Sequence, residues 1–331
     1  QEEPYWDILK QRDIVLHVPY ESYDPVIKFI SDAADDPSVL AIKMTLYRTG
    51  KDSPIVAALE RAARNGKQVV VLVELKARFD EERNIAWANQ LENAGVTVIY
   101  GLKNLKVHAK IIMVMRREND TVRRYAHLAT GNYNPKTAKL YSDLSIFTGN
   151  SEIVNDATLF FNLVTGYSTL QSMKQLDMAP VTLKSKLLSM IQREIDRSDP
   201  EHPGLIMAKM NALTHEEVIE ALYKASQAGV KVLLNVRGVC MLVPGVPGLS
   251  ENIKVISIVD RYLEHSRIFY FQNGGSDEIY LASADWMPRN LDRRIELMFP
   301  IIDEQAFDEV KEVLEVYFKD NVNALELKEH G

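Results

Sequence analysis

His108 lies in the stretch NLKVHAKIIMV, with Lys106 two residues before it and Lys110 two residues after. Side chains alternate along an extended chain, so this spacing predicts all three groups on one face of a strand. Val107, Ala109 and Ile111 would line the other face. An imidazole between two ammonium groups makes a poor core, because the three repel one another and resist leaving water. The pattern makes chemical sense if an anion occupies that face. His265, in LEHSRI, has a related setting: Arg267 follows two residues later, and Glu264 is placed to pair with it. A packing role is the plain alternative for either histidine.

The elements that would position these groups recur along the chain. In SPIVAALERAARNGKQVVVLVEL, Ser53 reads as a helix N-cap and Pro54 as the first helical residue. Ile55, Val56, Leu59, Ala62 and Ala63 form one apolar face, Gly66 ends the helix, and Val69 to Val73 read as a strand buried on both faces. The segment THEEVIEALYKASQAGVKVLLNVRG repeats this. There Thr214 and Glu217 predict a capping box, Gly229 a helix end, and Val230 to Val236 a strand. Both copies follow a Lys-Met strand (AIKMTLYR, IMAKMNAL) and precede a His strand. A turn signal closes each, ATGNYNP in the first and ASADWMPRN in the second. The order implies two α/β domains, 1–175 with His108 and 176–331 with His265, joined through a helix and a Pro/Gly-containing linker within 165–205.

At 331 residues, 46% hydrophobic and 26% charged, the chain is of ordinary globular composition. A net charge of −7 argues against a dedicated nucleic-acid binder but leaves room for a local basic pocket. Cys240 is the only cysteine, which suits a reducing, cytoplasmic setting. No window has the apolar length of a membrane span, so any membrane association would be peripheral. The start at Gln1, without Met, reads as a fragment or processed chain. Neither G-x-x-x-x-G-K-[ST] nor G-x-G-x-x-G occurs, and Gly274–Gly275 reads as a turn, so no familiar phosphate loop is available.

Two His-x-(Lys/Arg) strands related by a pseudo-twofold resemble the phospholipase D superfamily. There one His attacks phosphorus, the other serves as acid or base, and Lys and Asn groups hold phosphate oxygens. That resemblance implies two similar phospholipase-D-like domains, each a mixed sheet flanked by helices. This sequence departs from the pattern at Arg267, where Lys is usual, and Asp285, where Asn is usual. A longer series, LAIKMTLYRTGKDSPI, ELKARFDEERNIAWA, LKVHAKI, ATGNYNPKTAKLYSDLS, VRGVCML, ISIVDRYLEHSRIFYFQNGG and SADWMPRNLDRRIE, resembles the polyphosphate kinase family over nearly the whole chain.

The family resemblance implies reversible transfer of the terminal phosphate of ATP to polyphosphate through a phosphohistidine. It implies that these are the two C-terminal domains, with two N-terminal domains, one of which helps hold adenine, missing. It also implies a homo-oligomer. By motif, His108 is the phosphorylated nucleophile, while Tyr141, Arg237 and His265 contact nucleotide phosphates. Arg48 and Arg78 match positions associated with Mg²⁺. A guanidinium cannot ligate a cation, so these arginines are expected to hold the phosphates that magnesium also holds. Lys106 and Lys110 would add to phosphate binding. His265 could protonate the leaving oxygen or donate a hydrogen bond to it.

Plainer readings stand beside these. Arg48 could pair with Glu74, RFDEERN could be a solvated helix start, and Tyr141 could pack with a wet hydroxyl. DRRIE, Asp292 to Glu296, fits ion pairs or a phosphate channel. His127 reads as a neighbour of the active strand. His17, His202, His215 and His330 have no supporting constellation. Two rival functions remain: a phosphodiesterase of phospholipase D type, and a non-catalytic polyphosphate-binding module.

Overall fold

Short apolar strands punctuated by well-marked helix starts build two sheets, one in each half of the chain. The structure, a computed structural model, describes residues 5–47, 49, 52–74, 81–102, 105–320 and 322–330, without the side chains of 81–85. Arg48 and Arg78 lie outside the described residues. The polypeptide divides into two compact units, Gln1–Leu176 and Asp177–Gly331.

The first unit runs α1 (Tyr5–Gln11), β1 (Ile14–Val18), α2 (Asp24–Asp35), β2 (Val39–Leu46), α3 (Pro54–Arg64), β3 (Gln68–Val73), α4 (Glu81–Asn93), β4 (Thr97–Tyr100), β5 (Lys106–Val107), β6 (Lys110–Glu118), β7 (Thr121–Ala129), β8 (Tyr141–Thr148) and α5 (Ser151–Val164). Its sheet has the order β4-β3-β2-β6-β7-β8-β1. The β2–β3 and β3–β4 pairs are parallel and the others antiparallel.

The second unit runs β9 (Asp177–Ala179), α6 (Leu183–Asp196), β10 (Leu205–Met210), α7 (Glu216–Gln227), β11 (Lys231–Val236), β12 (Ile253–Ile258), β13 (Leu263–Glu264), β14 (Ile268–Phe271), β15 (Glu278–Ala282), α8 (Pro288–Arg293), β16 (Arg294–Pro300), α9 (Glu304–Lys319) and β17 (Ala324–Leu327). Its order, β12-β11-β10-β14-β15-β16-β9, repeats the first with the same pairing senses. Strand β17 is added antiparallel to β12.

The local reasons differ between the two copies. Ser53 caps α3 as expected, its Oγ accepting the Ile55 N–H at 3.3 Å. Gly66 and Gly229 end their helices with φ of +82° and +86°, a region that glycine enters without steric cost. The Thr214–Glu217 capping box does not form. Helix α7 starts one residue later, after His215, without a side-chain cap. Tertiary contacts replace the cap: the Thr214 and His215 N–H groups both donate to the Trp286 carbonyl, and Glu217 pairs with Lys184 at 3.0 Å.

The two cores have no member in common. Phe29, Ile30, Leu59, Val71, Trp87 and Ile112 belong to the first. Leu187, Leu222, Leu234, Phe269, Phe271 and Trp286 belong to the second. Among the described residues no helix is long and apolar enough to cross a membrane.

Candidate active-site residues in each unit

In the first unit the strand expected to run through His108 is interrupted there. β5 ends at Val107, β6 begins at Lys110, and His108 and Ala109 lie between. The neighbouring strands hold the backbone on either side of the gap. Val107 N–H donates to Glu74 Oε2 at 3.2 Å, and Ile111 N–H donates to Thr45 Oγ1 at 3.1 Å. Lys110, expected to resist burial, is only 4% exposed, with its Nζ 3.0 Å from His108 Nε2. An ammonium only donates, so His108 Nε2 presents its lone pair and the ring proton belongs on Nδ1. A neutral imidazole removes the repulsion that argued against burial. Lys106 is exposed.

Tyr141 is half-buried at the head of β8, beside Ser142, whose Oγ is 3.3 Å from His17 Nε2. Asp143, next on the strand, accepts from Thr130 Oγ1 at 2.7 Å. A Cβ on Gly131 would lie 2.2 Å from Asp143 Oδ2, so the ATGN turn needs glycine for that approach. His127 sits opposite Ile112 of β6 and is buried, with Nδ1 2.9 Å from Tyr133 Oη. Burial pushes its pKa down to about 3. Nδ1–H donating to Tyr133 Oη, which in turn donates to the His127 carbonyl, is the tautomer that leaves no donor stranded.

Register makes the two units comparable position by position. The row Met44–Ile112–His127–Phe147 corresponds to Ala208–Phe269–Tyr280–Pro300. Counting along each strand puts Arg267 at the place of Lys110 and Asp285 at that of Asn132. Ser283 and Glu296 fall at the places of Thr130 and Asp143, and they repeat that hydrogen bond at 2.6 Å.

In the second unit Arg267 does not pair with Glu264, as its spacing suggested. Its Nε and Nη2 form a fork with Asp285 Oδ1 and Oδ2, each at 3.1 Å, and both residues are buried. Glu264 pairs instead with Lys209 at 3.4 Å, and Lys209 Nζ also donates to Ser266 Oγ at 2.9 Å. A charge sunk this deep requires a close partner, and alternation gave no view of β10. Burial pushes the Asp285 carboxyl up, but the Arg267 charge and hydrogen bonds, with the Asn211 N–H, hold it below the ordinary carboxylate range. Arg267 Nη1 donates to the His265 carbonyl at 3.0 Å and lies 3.3 Å from His265 Nε2. Arg237 Nε donates to Asn211 Oδ1 at 3.0 Å.

DRRIE is structural at both ends. Asp292 pairs with Lys184 and His215, while Glu296 accepts from Ser283 and Asn290. Glu74, the partner considered for Arg48, receives the Val107 N–H. Among the described residues no group of three or more His, Cys, Asp or Glu side chains could hold a metal ion.

Sequence reading missed Thr130–Asp143 and Ser283–Glu296, although each pair recurs at matching places in the repeat. It also missed Glu74 and Asn211, whose roles depend on strands remote in sequence.

Residues 4–170 match the family model described as polyphosphate kinase C-terminal domain 1, and residues 176–331 match C-terminal domain 2. A polyphosphate kinase of Rhodopirellula baltica is 56% identical over 329 residues, covering 99% of this chain and 39% of the relative. One of Halalkalibacterium halodurans is 53% identical, covering 98% and 46%. The crystal structure of polyphosphate kinase from Porphyromonas gingivalis superposes with a TM-score of 0.93 at 38% identity, over this whole chain and 50% of that one. Phosphatidylserine synthase of Haemophilus influenzae shares the fold, with a TM-score of 0.65 at 11% identity over 98% of this chain and 91% of that one. The chain thus spans half or less of the length of the polyphosphate kinases it matches.

Proposed function

Because the chain belongs to the polyphosphate kinase family, we propose that it carries the phosphoryl-transfer centre of an ATP:polyphosphate phosphotransferase working through His108. His108 Nε2 attacks the γ-phosphorus of ATP as Lys110 turns from its lone pair to the phosphate oxygens; the bond to the bridging oxygen breaks, ADP leaves with that electron pair, and the ring keeps its Nδ1 proton. The terminal oxygen of a polyphosphate chain then takes the phosphoryl group from the ring, and both steps run in reverse. The observation carrying this reading is the buried Lys110 ammonium on His108 Nε2. It marks a neutral ring whose Nε2 lone pair faces a fixed cation, one that passes to the phosphoryl oxygens when that nitrogen bonds to phosphorus.

Arg237, His265 and Tyr141 are assigned to the nucleotide phosphates from their family motifs, and Lys106 and Lys110 to the transferring phosphate and the polyphosphate chain. Phosphoryl transfer asks a protein chiefly for positioning and charge stabilisation, which such donors supply. Magnesium would arrive with the substrate as MgATP and offset the charge of its phosphates, to which Arg48 and Arg78 are assigned from their family motifs. A cytoplasmic homo-oligomer is the proposed setting, supported by the family resemblance and the single cysteine. The Arg267–Asp285 fork speaks against the phosphodiesterase alternative. The second unit has a guanidinium committed to a carboxylate where that chemistry uses Lys and Asn on phosphate.

The test is to incubate this chain with polyphosphate and Mg²⁺ and map acid-labile phosphate by mass spectrometry, with His108→Ala as control. Polyphosphate is the donor because it does not depend on an adenine site. Label on His108, lost in the variant, is the expected result. Tight binding with no label, in this chain and in one extended to the length of its relatives, would sink the phosphohistidine mechanism.

A further inference from the structure

We infer that Asn211 is a positioning residue that ties Arg237 to His265 in the second unit, an inference resting on the phosphate-binding roles proposed above for those two. Asn211 directly follows β10, is 8% exposed, and engages four hydrogen-bonding groups at once. Its backbone N–H donates to Asp285 Oδ1 at 2.7 Å, and its carbonyl accepts the Gly238 N–H at 2.7 Å. Its Oδ1 accepts from Arg237 Nε at 3.0 Å, and its Nδ2 donates to the His265 carbonyl at 3.2 Å.

The partners themselves fix the direction of the amide. A guanidinium Nε–H can only donate and a backbone carbonyl can only accept, so a flipped amide would lose both bonds. The contact with Arg237 is close on two sides. A Cβ on Gly238 would come within 2.8 Å of the Asn211 carbonyl oxygen, so the turn carrying Arg237 lies directly on this residue. Holding Nε sets the plane of the guanidinium, and with it the direction of the two terminal nitrogens that make a phosphate fork. On the other side, the His265 carbonyl receives both Asn211 and Arg267, and Arg267 is itself set by Asp285, which Asn211 also contacts. One buried side chain therefore fixes the approach of two groups on different strand ends. In the first unit register puts Tyr47 at this position.

Asp is the informative replacement. Asn211→Asp keeps an acceptor for Arg237 but sets a carboxylate oxygen against the His265 carbonyl, whereas Asn211→Ala removes both bonds. Tripolyphosphate binding to the chain is measured by calorimetry for the wild type, Asn211→Ala, Arg237→Ala and the double variant. Side-chain NMR with ¹⁵N-labelled Arg and His is recorded for the wild type and both Asn211 variants. Arg237→Ala and Asn211→Ala should each weaken tripolyphosphate roughly tenfold, since each removes a hydrogen bond involving a charged group or its orientation. The double variant should be no weaker than Arg237→Ala alone. A slowly exchanging Arg237 Nε–H signal should survive in Asn211→Asp and vanish in Asn211→Ala, while the His265 ring signals move in both. Additive losses in the double variant, or His265 signals unmoved in both variants, would overturn the coupling. A wild-type chain that does not bind tripolyphosphate would count against the proposed function instead, and the NMR signals alone would then decide the role of Asn211.

Discussion

Single residues in this chain carry charge where charge is costly, and each solves the problem differently. Lys110 is tolerated because its ammonium donates to a neutral His108. Replacing it with Met should slow labelling of His108 by polyphosphate about 10²–10³-fold, as for a lost oxyanion donor. Exposed Lys106→Met should cost far less. Equal effects in timed acid-labile phosphate assays would refute the distinction. Asp285 and Arg267 compensate each other, so Asp285→Asn should destabilise the fold by about 3–5 kcal/mol in urea unfolding, because it strands a buried guanidinium. Adding Arg267→Met should recover much of that loss; a double variant no better than Asp285→Asn would contradict it. The carboxyl is held below its ordinary range, so its stabilising contribution is full above the unfolded carboxylate pKa, about 3.9, and is lost as pH falls from there through the lower folded value. His127 is a base kept neutral by burial, at about 3 against the ordinary 6.5. The unfolded ring binds a proton below 6.5 while the folded ring refuses it, so stability falls with pH across that window by about 1.4 kcal/mol per unit. His127→Gln should flatten that part of the urea-midpoint profile. An unchanged slope would place the titration elsewhere.

At the scale of elements, the difference between α3 and α7 can be measured. Ser53→Ala should cost about 1 kcal/mol, the usual value of an N-cap oxygen. Thr214→Ala should cost much less, since no cap bond forms there. Equal losses in denaturant unfolding would restore the capping box. The contrast also explains which elements could be read in advance. Helix α3 and β3 were legible because their signals are local: Ser, Pro, an apolar face, Gly, then a run of valines. The start of α7 was misread because Thr214 and His215 spend their N–H groups on Trp286, some seventy positions later in the chain. The break at His108–Ala109 was hidden for a related reason. Alternation describes an unbroken strand, whereas Glu74 and Thr45 take the N–H groups of Val107 and Ile111 on either side of the gap.

For the whole molecule, the repeat was the strongest thing the sequence displayed, because helix, strand and His strand recur in one order. The site inside it was less legible, because matched positions hold unlike residues. Lys110 answers to Arg267, Asn132 to Asp285, and Tyr47 to Asn211, so the copies share a frame but not a chemistry. Each frame also has a core of its own, with Phe29, Leu59 and Trp87 in one and Leu222, Phe269 and Trp286 in the other. Units of 176 and 155 residues are large enough to bury a core, and each sheet is complete in its repeated order. Residues 177–331 produced alone should therefore unfold cooperatively in urea, with near-ultraviolet circular dichroism from Trp286 and its tyrosines. That piece should keep the Arg237 Nε–H signal, since Asn211, Arg237, His265, Arg267 and Asp285 all lie within it. It should also fail to take phosphate, because His108 is not among its residues. A piece that collapses without cooperative unfolding would show that the second frame, complete as its strand order is, depends on the first for its packing.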